Sequence, residues 1–155
     1  MPSSAVPEHL HTVTVSLTVS PCADAIDFYV RAFGAVEIEP RMTGPDGRVG
    51  HAELRIGDSV IMLGDEWPDG PTSSPHSLGG STAAVFIYVD DVDALWQRAI
   101  DAGAEVVFPL EMQFYGDKGG RVRDPFGHTW GLAQHVEDVS PEEMEKRMAA
   151  FYRET

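Results

Sequence analysis

At 155 residues, the chain carries 25 Asp plus Glu against 11 Lys plus Arg, a formal net charge of -14, and is sized for one domain with its own core. That balance repels nucleic acid and anionic membrane surfaces and argues against both as partners, while leaving small ligands open. A single cysteine, Cys22, excludes an internal disulfide, and no apolar run is long enough to span a bilayer. The opening stretch MPSSAVPEHLHTV has neither a basic region nor a long apolar core, so it does not read as a secretory signal. The expected location is the cytoplasm.

In chain order, TVTVSLTVS (12–20) alternates, which predicts a strand with Val13, Val15, Leu17 and Val19 toward a core. Ser20-Pro21 reads as a helix N-cap followed by a first-turn proline. The helix it opens carries Ala25, Ile26, Tyr29, Val30 and Phe33 on one stripe and stops at Gly34. Strands follow at AVEIEP, RVGHAELRI and SVIML, separated by turns at GPDGR and Gly57-Asp58. Residues 65–82, rich in Gly, Pro and Ser, read as a linker.

The pattern then restarts. AAVFIYVDD predicts a strand with Val85, Ile87 and Val89 on one face and Ala84, Phe86 and Tyr88 on the other. Asp90 or Asp91 caps a helix with the stripe Val92, Leu95, Trp96, Ala99 and Ile100, ending at Gly103. AEVVFP reads as a strand, YGDKGG as a turn, and GRVRD and HTWGLAQHV as the last two strands. GAVEIEP (34–40) is echoed by GAEVVFP (103–109), and GRV recurs at Gly47 and Gly120. An α+β chain of two tandem βαβββ units, about 11–64 and 83–137, accounts for the repetition. Their strands are expected to form a curved mixed sheet with the helices outside. Ser140-Pro141-Glu142-Glu143 predicts a C-terminal helix at about 141–153, with Met144, Met148 and Phe151 on one face; that face packs on the body or on a partner.

Strand alternation assigns the sheet faces opposite the helices: Thr14, Ser16 and Thr18; His51, Glu53 and Arg55; Val60 and Met62; Phe86 and Tyr88. Aromatics mixed with a few polar groups suit a small-molecule site. Gln113 and Tyr115, just before a glycine-rich turn, pair an amide with an aromatic ring and either border the pocket or form an ordinary hairpin edge. The candidate ligand-binding residues are therefore Ser16, His51, Glu53, Arg55, Met62, Phe86, Tyr88, Gln113 and Tyr115. Glu53 as base with His51 or Tyr88 as acid are the candidate catalytic groups. Cys22 reads as a buried cysteine, His128 as a hydrogen-bonding structural residue and Trp130 as core packing. No serine-nucleophile elbow, phosphate loop or dinucleotide fingerprint occurs.

The tandem units, AIDFYVRAFGA in the first helix and RVRDPFGHTWGL near the end, resemble the vicinal-oxygen-chelate superfamily of glyoxalases, bleomycin-resistance proteins and dioxygenases. HAELRIGDSVIMLGDE together with DPFGHTWGLAQHVEDVSPEEM is most similar to its PhnB-like branch. The resemblance implies metal-ligand positions at Thr14, Met62, Ala84 and Gly131, none of which bears a metal-binding side chain. No cofactor is therefore expected, and a displaced metal set of His51, Glu53 and His135 is the alternative. The resemblance further implies a homodimer. The resulting expectation is a metal-independent binding protein that sequesters an aromatic antibiotic or metabolite. The rival is a lyase, isomerase or dioxygenase of the same superfamily.

Overall fold

A computed structural model describes residues 4–155. The chain forms two units. The first runs through Ser81 and also takes in Pro125–Gly127; the second holds Thr82–Asp124 and His128–Thr155. Both are α+β and repeat the same order, strand–helix–strand–strand–strand.

In the first unit β1 (Ser16–Thr18), β2 (Val36–Thr43), β3 (Val49–Ile56) and β4 (Ser59–Gly64) make a sheet of order β1-β4-β3-β2. β1 lies parallel to β4 and the other pairs are antiparallel. Helix α1 (Cys22–Phe33) buries Cys22, Ala25, Ile26, Phe28, Tyr29, Ala32 and Phe33. This stripe is wider than the sequence pattern suggests, because Phe28 joins an edge-to-face cluster with Tyr29, Phe33 and Phe126, whereas Val30 stays exposed. Gly34, at φ 67°, takes the left-handed conformation that ends the helix.

Three sequence expectations change here. The first strand is short, with its register against β4 confined to Ser16–Thr18; Leu17 and Val19 are buried while Val13 is 85% exposed and Val15 is exposed too. Ser20 does not cap α1. Pro21 stands at the cap position and the helix receives its acceptor from Asp65, whose Oδ1 takes the Cys22 N–H at 3.0 Å. Finally, the stretch read as a linker is built: Asp65 and Ser74 are buried, and α2 (Pro75–Leu78) is capped by the Ser74 hydroxyl.

In the second unit β5 (Ala84–Tyr88), β6 (Glu105–Met112), β7 (Asp117–Arg123) and β8 (Thr129–His135) repeat the arrangement as β5-β8-β7-β6, with β5 parallel to β8. Helix α3 (Val92–Ala102) is capped by Asp91 Oδ1, which accepts from the Ala94 N–H at 3.0 Å. Trp130, Val122 and Val85 share the helix-side face; Trp130 and Val122 are fully buried. The YGDKGG segment is only partly a turn. Asp117–Gly120 pair with Leu132–His135 as strand, because β8 is long enough to take them into register.

Helix α4 (Pro141–Glu154) closes the chain, with the Ser140 hydroxyl accepting from Glu143 N–H at 3.2 Å. It is tied to its own unit by Arg147, which reaches Glu137, Glu143 and the Phe114 carbonyl, and by Phe151 against Phe114. Among the described residues no helix is long and apolar enough to cross a membrane.

Candidate functional site

On the face of the first sheet away from α1, cross-strand register sets Ser16, Met62, Glu53 and Ile38 in one row. Arg55 lies between Val60 and Val36 in the next, and His51 beside Met42. Glu53 is gripped from both sides: His9 Nε2 lies 2.8 Å from Oε2 and His51 Nε2 lies 3.2 Å from Oε1. Partial burial works to raise the Glu53 pKa, but the hydrogen bonds from His51 and His9 outweigh it and hold it below the usual carboxylate value. A carboxylate held in that way is a weak base.

The corresponding face of the second sheet has a different chemistry. One row reads Phe86, Gly131, Arg121 and Phe108; the next reads Tyr88, Ala133, Gly119 and Glu111. Gly131 lets the Phe86 ring lie across β8, and the aromatic side chains stay accessible, with Phe86 47% and Phe108 58% exposed. The Arg121 guanidinium lies over both rings, 5.2 Å from the Phe86 centroid and 5.8 Å from Phe108.

At the end of this face, Tyr88 donates its hydroxyl proton to Asp117 Oδ2 at 2.9 Å, and His135 Nδ1 donates to Oδ1 of the same carboxylate at 2.8 Å. His135 Nε2 meets Asp138 at 2.8 Å. An open depression of ≈260 Å³ lined by Tyr88, Val89, Asp90, Gln134 and His135 adjoins the chain of hydrogen bonds. Donating to Asp117 pushes the Tyr88 pKa up, so the phenol keeps its proton. The hydrogen bond to Asp117, then that to Asp138, raises the His135 pKa above 6.5.

The sign of the linkage is fixed by that direction. Folded His135 keeps its proton to higher pH than in the unfolded chain, so its stabilisation is complete below about 6.5 and fades as pH rises through the raised value. An NMR titration of the imidazole should give a midpoint above 6.5, and His135→Gln should remove the matching fall in urea midpoint at higher pH. A midpoint at or below the ordinary value would mean that the carboxylates do not hold the ring.

The other expected site residues are distributed as follows. Gln113 turns its side-chain amide to the carbonyls of Glu111 and Gly119, bracing the hairpin, and Tyr115 stands edge-on to Phe114. His128 gives its backbone N–H to Asp124. Cys22 is fully buried; burial, then the charge of Asp65, pushes its thiol pKa up to about 12, which leaves it unreactive. Asp117, Arg121, Phe108 and His9 escaped the sequence reading. The parity of Val122 within GRVRD was the available signal for Arg121, and the alternation of AEVVFP that for Phe108.

The residues at the metal positions implied by the resemblance do not suit a metal. Thr14 lies before β1 and gives its hydroxyl to the His11 carbonyl; Met62 and Ala84 offer no hard donor. At Gly131 a Cβ would come 2.4 Å from the Phe86 ring, so a longer side chain has no room there without moving that ring. His51 and Glu53 belong to the first unit and His135 to the second, each with partners in its own unit. Among the described residues no group of three or more His, Cys, Asp or Glu is arranged to hold a metal ion.

Comparison with known proteins fits this architecture. An uncharacterized protein of Mycobacterium tuberculosis H37Rv is 48% identical over 137 residues, covering 86% of this chain and 80% of that one. The crystal structure of TioX from Micromonospora sp. ML1 superposes with a TM-score of 0.65 at 29% identity, over 81% of this chain and 99% of that one. The PhnB protein of Bacillus cereus shares the fold, with a TM-score of 0.60 at 20% identity over 80% and 99% of the two chains. Residues 9–132 match the family model, and the chain belongs to the Glyoxalase/Bleomycin resistance protein/Dioxygenase superfamily.

Proposed function

We propose that this protein is a metal-independent small-molecule-binding protein of the bleomycin-resistance or glyoxalase-like type, and that it sequesters an aromatic antibiotic or metabolite. The observation that carries this reading is the face of the second sheet on which Phe86, Tyr88 and Phe108 share one side and stay exposed. Exposed rings offer stacking area to an aromatic ligand at small cost in side-chain entropy. The ≈260 Å³ depression beside Tyr88 is smaller than a drug-sized ligand needs, so such a ligand must extend onto the sheet. The protein acts in the cytoplasm as a homodimer in this reading, supported by the family and by apolar side chains left exposed, Val36 and Met42 in the first unit and Val106 and Met112 in the second. Sedimentation equilibrium tests the dimer.

An enzyme of the same superfamily, a lyase, isomerase or dioxygenase, is the second reading, favoured by the hydrogen-bonded chain Tyr88–Asp117–His135. Its proton chemistry is unpromising near neutral pH. Glu53 releases its proton too readily to be a strong base, and Tyr88 holds its own too firmly to be a ready acid.

The neutral aromatic fluorophore N-phenyl-1-naphthylamine is a direct probe. Wild-type protein should bind it saturably, and Phe86→Ala should weaken binding by roughly 5- to 30-fold, the equivalent of about 1–2 kcal/mol of stacking and burial. No saturable binding, or binding indifferent to Phe86→Ala, would remove the reading.

A further inference from the structure

Arg121 is half-buried in a chain with more than twice as many acidic as basic residues, yet among the described residues it has no carboxylate partner. Arg41, Arg48, Lys118 and Arg147 each face one. The partners of Arg121 are the rings of Phe86 and Phe108. A guanidinium meets rings through its flat face, while its N–H donors lie in its plane and point outward. The rings therefore hold the group without using its hydrogen-bonding capacity.

The cross-strand neighbour of Arg121 on β8 is Gly131. A carboxylate side chain at that place would pair with the guanidinium across the strands. Glycine supplies no charge and lets the Phe86 ring cross β8, which any Cβ would block. One residue thus leaves the cation unpaired and allows one of the rings to hold it.

We propose that Arg121 is the anion-recognising residue of this face, and that the ligand is a planar aromatic carrying one acidic oxygen group, a carboxylate or a sulfonate. The inference rests on the binding face described under the proposed function and names its ligand class. The aromatic body packs on the exposed rings of Phe86 and Phe108, and its anionic oxygens accept in-plane N–H bonds from Arg121. A single acidic group is the limit. Glu111 and Asp117 follow along the same face, and the chain's charge of -14 repels a polyanion.

The test uses two probes that differ by one sulfonate, 8-anilino-1-naphthalenesulfonate and N-phenyl-1-naphthylamine, each titrated by fluorescence against full-length protein. In wild type the sulfonate should bind the more tightly. Charge-assisted hydrogen bonds predict that the ratio of the two affinities falls about 10-fold or more in Arg121→Met. In Arg121→Lys, which keeps the charge and loses the planar fork, the ratio should fall less. A ratio unchanged in both variants, with the neutral probe still bound by wild type, overturns the anion role alone and leaves the binding face intact. Failure of wild type to bind either probe overturns the face and the anion role together.

Discussion

Trp130→Ala should cost about 4 kcal/mol of folding stability, in the range found when a buried aromatic is cut back to alanine. Trp130 lies on the helix side of β8, fully buried between its register partners Val85 and Val122. Its indole N–H donates to Asp124 Oδ2 at 2.8 Å, and the other oxygen of that buried carboxylate takes the His128 N–H at 2.9 Å. Truncation therefore opens a cavity and also takes one hydrogen bond from a charge that is almost out of water. Trp130→Phe separates the two effects: it keeps a ring and loses the donor, for an expected ~1–2 kcal/mol. For a chain of this size the alanine variant should melt roughly 8–16 °C lower. A loss under about 1 kcal/mol in urea unfolding would mean that the site collapses around the missing ring and that Trp130 is not the centre of the core.

Asp65→Ala should be nearly as damaging, at about 3 kcal/mol, although the residue belongs to no helix or strand. Its two oxygens take the backbone N–H of Cys22 at 3.0 Å and that of Val49 at 2.7 Å. One lies at the start of α1, where Pro21 offers no side-chain acceptor; the other opens β3. Removing the carboxylate leaves two buried donors unsatisfied and takes a negative charge from the positive end of the helix dipole. Asp65→Asn keeps a single acceptor oxygen and should lose about half as much. Hydrogen exchange gives an independent readout, since the Cys22 and Val49 amides should lose protection together. A variant within 0.5 kcal/mol of wild type, an approximate bound for a neutral surface change, would show that water satisfies both amides.

Much of this architecture was legible in the chain. Alternation in AAVFIY sorted Phe86 and Tyr88 from Val85 and Ile87, and the spacing of Ala25, Ile26, Tyr29 and Phe33 marked the buried side of α1. Gly34 and Gly103 marked both helix ends, because the left-handed conformation there excludes most other residues. These signals are local and repeat with the period of their own element, so a short window contains them. At Thr14, Met62, Ala84 and Gly131, the positions to which the resemblance points, residue type alone shows side chains poor in metal donors.

The short first strand was not legible, because alternation reports which way side chains point and not where two strands begin to run side by side. Val13 and Val15 alternate as well as Leu17 and Val19, yet the pairing of β1 with β4 begins only at Ser16 and Met62. Phe28 was missed because its partner Phe126 lies almost a hundred positions away. The site divides along the same line. Sequence by itself determined the tandem α+β units and the parity of His51, Glu53, Phe86 and Tyr88. Tertiary structure decided that Glu53 is held by His9 and His51, that Asp65 caps a helix 43 residues earlier, and that Arg121 faces a glycine between two rings. The physical reason is that a charge takes its character from the groups it meets in space, and cross-strand register brings those groups together from segments that carry no local trace of one another.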